Sequence, residues 1–188
     1  MPLRFWQRWR AERVQQRRAA RYIRTLQREP AAEDVEWLTA AATAGDADHA
    51  RWELRYARRA IGLLTAERDA LDDRTASLVA RELTRSLARD PQVAAGMLPV
   101  AERQLNARLR GYGDALARRE GGRLVRAALG RALLTFAGGE RYAPTEAAVQ
   151  RAGETLARYI SEANAALRAE FGAAALPEDL PPSAAMRG

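Results

Sequence analysis

Along the chain, apolar residues recur three or four positions apart, and no run of β-branched residues alternates long enough to make a strand. The pattern predicts an all-α protein. The most sustained stripe is Val149, Ala152, Leu156, Tyr159, Ile160, Ala163, Leu167 and Phe171, which predicts a long last helix opening at Pro144-Thr145. With charged residues on its other sides, that helix is expected to close a bundle or to pair with a second copy of the chain. Between Gly121-Gly122 and Gly138-Gly139, the positions Leu124, Val125, Ala128, Leu129, Ala132, Leu133 and Phe136 cover a broad face. A helix apolar over so much of its circumference is expected at the centre of the core.

The earlier elements are read from their ends as much as from their stripes. Ala31 to Ala44 predicts a short helix stopped by Gly45, with Glu33, Asp34 and Glu36 in its first turns to suit the helix dipole. Asp46 is expected to cap a long helix whose inward stripe includes His49, Trp52, Tyr56, Ala60, Leu63 and Leu64. Asp72 and Asp73 are candidate caps for the next, in which Leu78, Val79, Leu83 and Leu87 share one face before Asp90-Pro91 breaks the run. Pro91 to Leu98 predicts a short helix. Pro99 suits the first turn of another, running through Leu105 and Leu109 and weakening at Gly111 and Gly113. The expected architecture is a single bundle of about five or six helices over residues 29–172. A basic helical arm over 1–28 precedes it, and a tail over 173–188, rich in Ala and Pro and without period, is expected to be disordered.

Charge changes this picture at one place. All 31 basic residues are arginine, which reflects coding bias more than a requirement at 31 sites, so position is more informative than composition. Residues 1–28 carry nine arginines against Glu12 alone, a net +8, whereas residues 29–188 set 22 arginines against 23 acids, a net −1. A neutral body with a basic arm is what a chain meeting an anionic surface requires. With no cysteine, disulfides and thiolate metal sites are excluded, and the cytoplasm is the expected compartment. Arginine recurs too often before Arg28 for a secretory leader. The most apolar later stretch, LVRAALGRALLTFAGG, is interrupted by Arg126 and Arg131 and is too short to span a bilayer.

On a helix, Arg10, Arg13, Arg17, Arg21, Arg24 and Arg28 fall along one ridge, and no acids stand four residues away to relieve their repulsion. Guanidinium forks suit phosphate oxygens, so these six are the candidate anion-binding residues. The plain alternative is a solvated face of a helix that packs its Ile23 and Leu26 side on the body. Phe5, Trp6, Trp9 and Tyr22 are the candidate aromatic contacts, able to stack on bases. Phe5, Trp6 and Trp9 also keep open a membrane-surface anchor or a protein-complex adaptor. Between residues 10 and 21, however, the non-polar positions are only Ala11, Val14, Ala19 and Ala20, a thin face for insertion into lipid. Nucleic acid is therefore favoured over membrane, in a non-catalytic binding or scaffold protein with no cofactor.

Enzymatic chemistry rests on carboxylates. Glu33-x-x-Glu36 and Asp69-x-x-Asp72 each place two acids on one helix face, and four converging carboxylates would hold Mg²⁺ for nucleotide pyrophosphate hydrolysis. That layout is similar to the all-α nucleoside triphosphate pyrophosphatases, with Asp in the second pair where those enzymes carry Glu and a longer interval between the pairs. Helix-start acids and caps explain the same residues without a metal. Asp46-x-x-His49 with Glu53 lacks the second Glu-x-x-His of a di-iron bundle, and the single histidine supports no nucleophilic triad. The glycine pairs lack the lysine or third glycine of a phosphate loop and read as helix breakers.

Overall fold

The computed structural model describes residues 2–70, 72–118, 121–139 and 141–172, with the side chains of residues 2–8, Ala11 and Ala95 outside the description; the tail 173–188, expected to be disordered, also lies outside it. Seven α-helices run in chain order: α1 (Pro2–Leu26), α2 (Ala32–Ala41), α3 (Ala47–Asp69), α4 (Asp73–Ala88), α5 (Leu98–Leu116), α6 (Gly122–Gly138) and α7 (Glu146–Phe171). Their starts follow the expected caps. The Asp46 side chain accepts from the His49 N–H at 2.9 Å and Asp72 from Thr75 at 2.7 Å, and Pro99 sits in the first turn of α5. α7 opens where Pro144-Thr145 predicts, with Thr145 as a cap not among those expected, accepting from Ala148 at 3.2 Å. α6 and α7 stop at Gly139 and Gly172, whose φ of 78° and 88° only glycine adopts without strain.

Seven helices replace the expected five or six because α1 belongs to the bundle. Ala19, Tyr22, Ile23 and Leu26 are buried in the common core, and α1 packs against α3, α4 and α7. The boundary drawn at residue 28 therefore falls at the end of a packed helix, whose last two turns are part of the body. The centre of the fold also differs from expectation. Every residue from Glu53 to Leu63 is buried, and α3 touches all six other helices. α6 is peripheral, packing chiefly on α7 and α5 and leaving Leu124 exposed, so part of its broad apolar face meets solvent.

Three smaller corrections follow from packing. His49 is exposed at the first turn of α3, outside the inward stripe, because that turn precedes the point where neighbours enclose the helix. The helix expected over Pro91 to Leu98 shrinks to one 3₁₀ turn at Ala95–Met97. α5 continues through Gly111 and Gly113 because the Phe136 ring fills the space beside Gly111, with Cζ 2.7 Å from where a Cβ would stand. The α7 stripe from Val149 to Phe171 is buried within the chain, against α6, α3 and α1. It closes the bundle, and that face is not offered to a second copy.

Candidate functional site

The side of α1 opposite the buried Ala19, Tyr22, Ile23 and Leu26 carries the ridge. Arg10, Arg13, Arg17, Arg21, Arg24 and Arg28 are all exposed. At 1.5 Å per residue the five on α1, Arg10 to Arg24, form a row about 21 Å long, and Arg28 follows in the bend after the helix. Arg21 alone among them is tied to an acid, its Nε donating to both Glu170 oxygens at 2.9 and 2.8 Å, which raises its pKa through that hydrogen bond first. Arg13 lies over the Trp9 ring at 4.0 Å from its centroid, and Trp9 and Val14 are the large apolar groups this helix exposes among the described side chains. Arg10, Arg17, Arg24 and Arg28 make no ion pair with described residues.

Tyr22 is a correction. It is fully buried, and its hydroxyl donates to the Gly62 carbonyl at 2.7 Å, so it joins α1 to α3 and presents no face to a base. Burial, reinforced by Asp69, raises its pKa. Phe5 and Trp6 lie outside the described side chains, which leaves Trp9 as the aromatic at the ridge.

The charges the hydropathy pattern failed to place are those of α3. Arg55, Arg58 and Arg59 are buried, and each reaches a carboxylate on a different segment: Glu29 after α1, Glu162 on α7 and Asp90 after α4. Buried Glu53 receives a two-point hydrogen bond from buried Arg108 of α5, the Nε at 3.1 Å, and His49 Nε2 stands 3.4 Å from it. Arg158 of α7 pairs with buried Asp34 of α2. Since a buried charge is tolerated only with a partner, these pairs fix which helices lie beside α3. Burial raises the Asp90 pKa, but hydrogen bonds from Arg59 and from the Gln92 N–H outweigh it and leave the carboxyl below its usual range. The only signal for these residues in the sequence is their crowding inside an otherwise apolar helix.

The acidic pairs do not converge. Glu33 and Glu36 are exposed on α2, Asp69 accepts two hydrogen bonds from its neighbour Arg68, and Asp72 caps α4. Among the described residues no three His, Asp or Glu side chains cluster as a metal site would require, and no helix is long and apolar enough to cross a membrane. The molecule is thus an all-α bundle with a buried arginine-rich hub and one strongly basic outer helix. No family model matches the chain, and no curated protein or solved structure proves similar to it.

Proposed function

We propose that this is a non-catalytic cytoplasmic binding or scaffold protein whose first helix docks on a nucleic-acid backbone. The observation that carries the reading is the exposure of all six ridge arginines, five of them on the side of α1 opposite its packed face and Arg28 just beyond its end. The packed face supports nucleic acid over lipid. Ile23 and Leu26, the bulky apolar residues of the last turns, are turned into the core, so among the described side chains no continuous apolar strip is left for insertion into a membrane. A polyphosphate needs only the arginines, and a row of about 21 Å spans several phosphates of one strand.

Binding of RNA to the full chain, measured against salt, tests this. Each phosphate contact contributes roughly 0.7 to 0.9 to the slope of log K against log salt. The variant Arg10→Gln/Arg13→Gln/Arg17→Gln flattens that slope by about two, whereas the exposed triple Arg103→Gln/Arg110→Gln/Arg118→Gln leaves it unchanged. Equal effects from the two triples would mean that the ridge is a solvated helix face. Stronger loss on anionic vesicles than on RNA would favour the membrane reading.

A further inference from the structure

We infer that the cleft between α1, α3 and the end of α4 is a binding site for a phosphorylated small molecule, its phosphate monoester held by arginines. The cleft measures about 430 Å³, within the range of small-molecule sites. Arg55 and Arg59 of α3, Arg24 of α1 and Arg89 at the end of α4 line it, with Ile23 and Pro91 supplying apolar wall.

Arg59 is the central observation. Its side chain is 4% exposed, and one nitrogen, Nη2, donates to Asp90 at 2.5 Å. Its Nε and Nη1 are buried and have no hydrogen-bond partner. A guanidinium carries five N–H donors, and a donor left unpaired inside a protein costs about 1–3 kcal/mol. Nε and Nη1 are closed to the cleft as the side chain lies, so a turn of the Arg59 guanidinium toward an acceptor of several lone pairs bound there relieves that cost.

The surrounding charges favour the same ligand. Arg55 is engaged by Glu29, whose carboxylate is 64% exposed and so is free to yield to a stronger anion. Arg24 and Arg89 are exposed at the mouth and make no ion pair with described residues. Against the four arginines stand Glu29, Glu82 and Asp90, leaving one positive charge in excess. A phosphate monoester presents three terminal oxygens and can engage Arg59, Arg89 and Arg24 together, where a carboxylate has two. The carbonyl ends of α1 and α4 also face this region and oppose an anion, so free phosphate binds weakly and the organic part of the ligand contributes the rest against Ile23 and Pro91.

The site does not depend on the ridge, with which it shares only Arg24. Thermal melting and titration calorimetry of the full chain with inorganic phosphate, ribose 5-phosphate and adenosine monophosphate decide it. All three raise the melting temperature, and the ligand that gains most over inorganic phosphate identifies the organic part. Arg89→Gln, at an exposed position that does not threaten the fold, weakens binding about tenfold, the effect of losing one charge-assisted hydrogen bond. Arg59→Met abolishes binding. Arg10→Gln/Arg13→Gln/Arg17→Gln leaves it intact while lowering RNA affinity, which separates failure of this site from failure of the ridge. No stabilisation by any of the three ligands, or stabilisation unchanged in Arg89→Gln, would overturn the inference and leave the Arg59 donors as unpaired groups of the core.

Discussion

Gly130 of α6 and Gly153 of α7 meet backbone to backbone, and replacing either by alanine sets two effects against each other. Alanine in a helix interior is favoured over glycine by up to about 1 kcal/mol. At Gly130, though, a Cβ would stand 2.8 Å from the Gly153 nitrogen and closer still to the Val149 carbonyl oxygen. Backbone atoms cannot rotate away, so the two helices must part, by about 1 Å. A gap of that size forfeits a quarter to a half of each dispersion contact it opens. The contacts at risk belong to Leu129, Leu133, Val149, Ala152 and Leu156, all buried. Overpacking of this kind costs about 1–3 kcal/mol and outweighs the propensity gain, for a net loss of about 1 kcal/mol. In a chain of this size that lowers the melting temperature by roughly 2–4 °C. Gly113→Ala is the internal control. Its Cβ would meet only the Leu64 Cδ2 at an ordinary 3.7 Å, so propensity acts alone and the melting temperature rises by a few degrees. Melting followed by circular dichroism measures both. If Gly130→Ala melts at or above the wild type, the close crossing of α6 on α7 is wrong.

Three further outcomes are expected. Deleting residues 1–28 removes Tyr22, Ile23 and Leu26 from the core and abolishes cooperative melting, whereas deleting 1–14 preserves it; a cooperative 29–188 fragment would restore the arm as a separate unit. Arg108→Met strands the buried Glu53 carboxylate and costs about 3–5 kcal/mol in urea unfolding, while Glu53→Leu/Arg108→Met recovers most of that loss; equal stability of single and double variants would contradict the pairing. Burial raises the pKa of Tyr22, of Tyr112 and of Tyr159, the last to about 12. Unfolded tyrosines ionise near pH 10, so the folded state holds these protons more tightly, and stability is full below about pH 10 and falls as pH climbs toward 12. Absorbance at about 295 nm, where tyrosinate absorbs, should show these three ionising only with unfolding; five tyrosines titrating together near pH 10 in the folded protein would contradict their burial.

The identity of the long helices and most of their starts were legible because they depend on neighbours within one turn, whereas the end of α5 and the turn before that helix were not. Caps at Asp46 and Asp72, the opening at Pro144-Thr145, the glycine stop after α6 and the apolar spacing of α7 are local physics, and they agree with the fold. The solvent-facing run of ridge arginines was legible for the same reason, since 100° per residue places them on one side whatever the rest of the chain does.

Tertiary structure alone decided which helix stands at the centre. By hydropathy, Arg55, Arg58 and Arg59 belong on a surface, yet all three are buried because Glu29, Glu162 and Asp90, brought from distant points of the chain, neutralise them. A charge is admitted to a protein interior by its partner, and periodicity carries no record of a partner tens of residues away. The same holds for Tyr22. Its aromatic ring and hydroxyl suited a base-stacking role equally well until α3 supplied the Gly62 carbonyl as hydrogen-bond acceptor and closed over it.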